Sequence, residues 1–414
     1  MVQPVAPTPP PEPAAARVAF RVTGTVQGVG FRPTVHGHAH RLGLAGWVAN
    51  DASGVVGEVE GPRPLVDRFL HLLRHGAPPL ARVDRIDSAD VAPTGAPGFE
   101  VRPSLQTRSL PAGCGPTLAI PADTATCAAC LAEVADPADR RHRYPFTNCT
   151  ACGPRLTIVV APPYDRARTS MAAFPMCAAC QREYDDPADR RFHAEATCCP
   201  ACGPLLAAEP TPPPGADPLE LAAADLRAGG VVAVKGLGGH HLAALASHGA
   251  AVARVRQVKH REQKPMAVLV ASEAEAHRLA HVDGAAAELL AGGRAPIVLV
   301  PRRAGAPVAP SVAPGTHLLG LLLPPTALHH LLVAAVGEPI VLTSANPTDE
   351  PMLVDDREAR RRLGPLVDRL LVHDRTITTR VDDSVARIVD GAPLLLRRAR
   401  GWAPEPIRLA TPVP

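Results

Sequence analysis

The chain has 414 residues, 46% of them hydrophobic, with a formal net charge of +3. That apolar fraction excludes global disorder, and the length suits two to four domains. A near-neutral charge and only 3% aromatics argue against nucleic acid as a partner, and no apolar run reaches the roughly 20 residues of a membrane span.

Residues 1–16, "MVQPVAPTPPPEPAAA", are Pro/Ala-rich, with neither a basic start nor an apolar signal core. They are expected to form a disordered leader on a cytoplasmic protein. Residues 17–104 then alternate strand and helix patterns. "RVAFRVTGTV" alternates as a strand, and "RPTVHGHAHRLGL" has apolar residues at helical spacing. "AGWVANDASGVVGEVEG" reads as two strands joined by a Ser-Gly turn. "PRPLVDRFLHLLRHG" is an amphipathic helix with Pro near its start and Gly after its end. A last strand is expected near "GFEVRPS". The order βαββαβ predicts a ferredoxin-like sandwich.

"GTVQGVGFR" (24–32) joins the first strand to the first helix. A Gly-rich turn opening a helix offers N–H groups to an anion, and Arg32 adds a bidentate clamp. Together with "GWVAND", this stretch resembles the acylphosphatase family, whose signature is G-x-V-Q-G-V-x-F-R followed by a strand ending in Asn. The resemblance implies a phosphate-binding loop at Gln27, Gly28, Val29 and Gly30, with Arg32 holding the phosphate. Asn50 would orient the attacking water. The implied substrate is an acyl or carbamoyl phosphate, already activated and needing no side-chain nucleophile.

Residues 105–204 carry four CxxC pairs: Cys127/Cys130, Cys149/Cys152, Cys177/Cys180 and Cys199/Cys202. The pattern C-x2-C-x18-C-x2-C occurs twice, 50 residues apart, within "CAACLAEVADPADRR" and "CAACQREYDDPADRR" and the stretches after them. In a reducing compartment such pairs are metal ligands rather than disulfides. Two CxxC turns complete a tetrahedron with no open position, so two structural Zn2+ sites are expected. The spacing leaves open whether each copy keeps its own zinc or the pairs cross over. Cys114 and Cys198 fall outside the repeat, although Cys198 abuts Cys199 and could replace it. The "DPADRR" arginines read either as surface charge or as the lining of a neighbouring site.

A Pro-rich linker is expected at 205–216, then one α/β domain over 217–408 and a tail at 409–414. "LELAAADLRAGG" and "AAVARVRQVKHR" are helical, while "VVAVKGLGG", "PMAVLV", "APIVLV" and "PIVLTSAN" read as buried strands. Polar residues collect at strand ends. They are Lys235; Lys259, Arg261 and Lys264 in "KHREQK"; Ser344 and Asn346 in "TSAN"; Arg380, Asp382, Asp383 and Ser384 in "TRVDDSVAR"; and Arg397, Arg398 and Arg400 in "LLLRRARG". Cations and hydroxyls so grouped suit a nucleoside triphosphate with Mg2+. No Walker pattern is present, so this is not a P-loop site. His240 and His241 read as local hydrogen-bonders or ligands. The pairs K-x-R (259–261) and S-x-N (344–346) resemble the YrdC family, and by that resemblance they would bind ATP and its adenylate.

The expected fold class is therefore multidomain α+β: a ferredoxin-like acylphosphatase domain, two four-cysteine zinc modules and a YrdC-like α/β domain. This order, with "YPFTNCTACGPR", "KGLGGHHLA" and "VDDSVAR", resembles the hydrogenase-maturation carbamoyltransferase family, HypF, over about residues 17–408. "GGHH" departs from that family, placing His240 where an aromatic is usual. The resemblance implies hydrolysis of carbamoyl phosphate at the first site and formation of carbamoyl-AMP from carbamate and ATP at the second. The zinc modules would hold those two sites in register. A further C-terminal domain would pass the carbamoyl group to a HypE-type acceptor, for a cyanide ligand of the nickel–iron centre. These residues supply no counterpart of that domain, so the chain reads as a fragment, one half of a split enzyme, or an independent adenylate-maker. Two other readings stay open: threonylcarbamoyl-adenylate synthesis for tRNA modification, and a non-enzymatic zinc-ribbon scaffold.

Overall fold

A computed structural model describes residues 15–105, 120–211, 213–347 and 349–407. Residues 1–14 of the expected leader, Cys114 and the 409–414 tail lie outside them. The chain divides into two compact units, 1–119 and 120–414.

In the first unit β1 (Ala15–Thr25) leads into α1 (Phe31–Arg41). Then come β2 (Ala45–Asp51), β3 (Gly54–Pro62), α2 (Arg63–His75), β4 (Arg82–Val91) and β5 (Phe99–Val101). The sheet order is β4-β1-β3-β2-β5. β1 runs antiparallel to β3 and β4, and β5 runs parallel to β2. The period of two in β1 sends Val18, Phe20 and Val22 into one core with Val66, Phe69 and Leu73 of α2. Burying a ring such as Phe69 contributes about 2–3 kcal/mol.

This is the expected ferredoxin-like sandwich, with one correction. The strand that completes βαββαβ is β4, not the one near "GFEVRPS", which is β5, added beside β2. β4 has no fully buried residue. Its charges pair along the exposed edge, Arg82 with Asp84 and Arg85 with Asp87, so no apolar alternation announces it.

The second unit opens with the duplicated cysteine region, whose helices α3 (Ala128–Ala135) and α4 (Ala178–Asp185) each start after the first cysteine of a copy. The α/β part follows. Its first half holds β6 (Leu206–Glu209), α5 (Pro218–Arg227), β7 (Val232–Lys235), β8 (His240–Leu245), α6 (Gly249–Lys259), β9 (Ala267–Leu269), α7 (Glu273–Leu279) and α8 (Gly284–Ala291). Its second half holds β10 (Ile297–Pro301), β11 (Leu318–Leu322), α9 (Ala327–Val336), β12 (Ile340–Ser344), α10 (Asp356–Leu363), β13 (Arg369–His373), β14 (Val385–Val389) and β15 (Ala392–Arg397). One mixed ten-stranded sheet results, in the order β15-β14-β10-β11-β9-β12-β8-β7-β13-β6. Apolar clusters line both of its faces, which is why its central strands read as continuous hydrophobic runs.

Residues 205–216, read from the sequence as a linker, contain the edge strand β6, paired antiparallel with β13. The cysteine region is also tied to the α/β part. Thr378 N donates to Thr157 O, Ala125 N to Gly293 O, and Leu205 N to Asp374 Oδ1, each at 2.8 Å.

Candidate functional site

Three constructions carry chemistry, and the first is the turn between β1 and α1. Gly28 and Gly30 adopt left-handed φ values of 67° and 76°, which L side chains resist. Val26, Val29 and Phe31 are buried in the core on either side. Gln27 is buried too, and its Nε2 donates to Asp51 O at 2.7 Å and Gly54 O at 2.6 Å. Gln27 and Val29 thus brace the loop through inward side chains. Asp51 in turn accepts from Ser53 N, Ser53 Oγ and Gly54 N at 2.8–2.9 Å. Burial pushes its carboxyl up, but the Ser53 bonds and Arg21 outweigh this and hold its pKa low. This braced hairpin places Asn50, 1% exposed, against Arg32, 7% exposed. With its oxygen turned to the guanidinium, which can only donate, Asn50 accepts from Arg32 Nε at 3.2 Å and Nη2 at 3.3 Å. The pair stands in contact at the start of a helix, where backbone N–H groups favour an anion.

The second construction is the cysteine repeat. Cys127, Cys130, Cys149 and Cys152 form one group and Cys177, Cys180, Cys199 and Cys202 another, with the sulfurs of each group within 4.8 Å of one another. Neighbouring sulfurs lie 3.5–3.8 Å apart in both. A tetrahedral Zn–S bond of about 2.3 Å requires about 3.8 Å, so both groups fit structural zinc. Each copy supplies its own four ligands. Cys198 is not among them; it is buried in an apolar cluster with Tyr144 and Phe146.

The "DPADRR" arginines cross between copies. Arg190 and Arg191 of the second copy both bind Glu133 on α3 of the first, and Arg190 Nη1 donates to Cys130 Sγ at 3.0 Å. Reciprocally, Arg140 and Arg141 bind Glu183 on α4 at 2.6 and 2.5 Å, and Arg140 Nη1 donates to Cys180 Sγ at 3.3 Å. Burial pushes Glu183 up, yet the two guanidiniums hold its carboxyl at about 2. These arginines are neither free surface charge nor the lining of a nucleotide site.

The third construction is a cavity lined by strands β9 to β12 and β14 of the sheet and by the loops beside them. Arg261, Lys264, Ser344 and Asp383 line it, together with Thr343, Asp382 and Arg397 over an apolar floor that includes Ile297 and Leu342. Lys259 ends α6, 2% exposed, and its Nζ donates to Ser344 O and to Asn346 O at 2.8 Å. Asn346 Nδ2 holds the following turn through Pro347 O at 3.0 Å. Lys259 therefore joins the strand-end loop to the end of α6, two residues before Arg261. Burial, then Arg261 with Lys264 and Arg397, pulls its pKa down to about 7 against the opposing pull of Asp382.

Most of the other residues expected at this site lie elsewhere. Ser384 is fully buried and bridges Arg400 O and Ala399 N. Arg398 donates to Trp402 O and Glu405 O, pinning the C-terminal turn. Arg380 donates to Met352 O. Asp383 lines the cavity but its carboxylate is spent on Arg400, 2.8 Å away. Lys235 lines a different cavity, where it meets Asp356 at 2.8 Å. His240 and His241 open the buried strand β8, and His240 Nδ1 contacts Leu353 O at 3.1 Å. The apolar floor escaped the sequence reading because it comes from five separate strands, β9 to β12 and β14.

Family models match in chain order: Acylphosphatase over residues 18–101, HypF finger over 126–159 and 176–208, and the Sua5/YciO/YrdC model, "Telomere recombination", over 224–399. "Carbamoyltransferase HypF2" of Cupriavidus necator is 47% identical, covering 97% of this chain and 52% of the relative. "Carbamoyltransferase HypF" of Rhizobium leguminosarum bv. viciae is 46% identical, covering 96% and 51%. The solved "full-length HypF in the phosphate- and nucleotide-bound form" matches at a TM-score of 0.91 and 39% identity, over 96% of this chain and 52% of that one. The chain spans about half the length of the curated relatives it matches. With an acylphosphatase part, HypF fingers and a YrdC-like part in one order, the chain resembles carbamoyltransferase HypF over nearly its whole length, in sequence and in fold.

Proposed function

We propose that this chain performs the first two steps of a carbamoyl transfer in the cytoplasm. Water, oriented by Asn50, attacks the phosphorus of carbamoyl phosphate held by Arg32 and the 27–30 loop. The bond from phosphorus to the carbamoyl oxygen breaks, releasing phosphate and carbamate. A carbamate oxygen then attacks the α-phosphorus of ATP, which arrives with Mg2+, and pyrophosphate leaves, giving carbamoyl-AMP. Lys259, Arg261 and Lys264 attract the triphosphate, with Ser344 and Asn346 at the adenylate. The product is destined for a HypE-type acceptor in nickel–iron hydrogenase maturation.

The observation that supports this reading is one chain holding both the Arg32–Asn50 pair and the cationic cavity of Arg261, Lys264 and Arg397. The test is ATP–pyrophosphate exchange by the zinc-loaded chain with magnesium, with and without carbamoyl phosphate. Exchange that depends on carbamoyl phosphate is expected. Exchange driven by threonine and bicarbonate instead would assign the chain to threonylcarbamoyl-adenylate synthesis. Lys259→Ala is expected to abolish exchange while phosphate release stays within twofold, since Lys259 anchors only the second site.

The titration of Lys259 gives a second check. With a pKa of about 7, it is mostly neutral at pH 8 in the free protein, and a bound triphosphate restores its charge. ATP binding at pH 8 is therefore expected to take up about one proton. Affinity should weaken as pH rises above 7. Calorimetry in buffers of different ionisation enthalpy measures the uptake. An uptake that persists in Lys259→Met would remove Lys259 as its source.

A further inference from the structure

A second, smaller cavity lies where the cysteine region meets the α/β sheet within the second unit. Thr126 and Thr147 line it from one side, and Lys235, Thr326, His373 and Arg375 from the other. Lys235, His373 and Arg375 are 1%, 3% and 6% exposed. Apart from Lys235, which the sequence grouped with the nucleotide residues, neither the nucleotide reading nor the zinc sites use this group.

Arg375 is the anomaly. Buried guanidiniums normally meet a carboxylate or several carbonyls, because an uncompensated buried charge is costly. Among the described residues Arg375 makes no hydrogen bond and no ion pair; its close partner is the face of Phe146, 5.3 Å from its carbon to the ring centroid. A ring face answers the charge in part but none of the five N–H donors. Lys235, by contrast, is already matched, with Nζ on Asp356 and on His373 O at 2.8 Å each. Burial holds His373 neutral. The cavity thus presents one positive charge without a directly bonded counter-ion, shaped as a planar fork, with Asp123 acting on it only at longer range.

We propose that this cavity is a binding site for a small planar carboxylate monoanion of the carbonic-acid class, such as bicarbonate or carbamate, seated on Arg375. The fork of the guanidinium matches two oxygens of a planar carboxylate. A single charge favours a planar monoanion over phosphate, which is tetrahedral and in good part dianionic near neutrality. The cavity is also far smaller than the nucleotide cavity, with room for only a few heavy atoms. Bicarbonate would come from dissolved carbon dioxide. That carbamate also visits the site rests on the function proposed above.

The experiment uses the full zinc-loaded chain with Arg32→Ala in the background, so that the first anion loop does not contribute. Line broadening of 13C-bicarbonate is followed as protein is added, without ATP or carbamoyl phosphate. Saturable binding is expected, weakened about tenfold or more by Arg375→Gln. If Arg375→Gln fails to fold by circular dichroism, Arg375→Lys keeps the charge, loses the fork, and should still bind more weakly than the parent. No saturable binding, equal binding by the folded Arg375 variant, or phosphate competing as well as bicarbonate would each overturn the assignment. A second arm tests carbamate in CO2-free buffer on the chain with Arg32 restored. Arg375→Gln should leave phosphate release intact but raise the carbamoyl phosphate needed for half-maximal pyrophosphate exchange. If no exchange occurs at all, the functional reading fails while the bicarbonate arm still decides the site.

Discussion

Arg32→Ala is expected to lower kcat/KM for phosphate release from carbamoyl phosphate by about 10²–10³-fold, the usual loss when one preorganised donor to a developing charge is removed. Arg32 is buried at the helix start and its guanidinium is held by Asn50. Alanine removes the phosphate clamp and also leaves the Asn50 oxygen without its partner. Lysine in its place keeps a charge but no fork, so Arg32→Lys should recover only part of the rate. ATP binding in the second unit should not change. Phosphate release within threefold of the parent, in a variant with unchanged circular dichroism, would take Arg32 out of the reaction.

Cys130→Ser should disturb both zinc sites, not one. The loss of a ligand opens the first tetrahedron, and structural zinc supplies folding free energy outright. The first copy also supplies Arg140 and Arg141, which clasp Glu183 and Cys180 of the second, while its Glu133 receives Arg190 and Arg191. Breaking a fully buried ion pair costs about 3–5 kcal/mol, and these partly exposed clasps cost less each but act together. The remaining zinc should therefore bind about 10²-fold or more weakly to the variant. Metal content after dialysis and competition with a colorimetric chelator measure this. One zinc kept at the parent affinity would show that the copies are independent. Arg141→Gln is the milder companion, expected to retain both ions at a lower Tm.

The duplicated cysteine spacing was legible because ligand chemistry repeats by residue number: eight cysteines at fixed offsets leave little freedom. Helices such as α2 were legible for a similar reason, since Val66, Phe69 and Leu73 recur at helical spacing and are buried together. β4 was not, because none of its residues is fully buried and only Val83 and Ile86, three apart, turn toward the core. Nor was β6, four residues in a Pro-rich stretch, which becomes a strand only because β13 offers it a free edge.

For the sites the division follows distance along the chain. Arg32 and the Gly-rich turn are local, and a motif can name them together with Asn50. The Gln27 brace that brings Asn50 to Arg32 is visible only once the hairpin has folded back on the loop. Grouping cations by strand ends placed Lys235 with Arg261 and Lys264, whereas the fold separates them into two cavities. The crossed arginine clasps and the unmatched Arg375 carry no sequence signature at all. Each depends on which carboxylate or ring, some 40 or more residues away, is carried beside a guanidinium. Local chemistry is written in residue type and spacing; the matching of buried charge is settled only when tertiary packing decides which partners share a site.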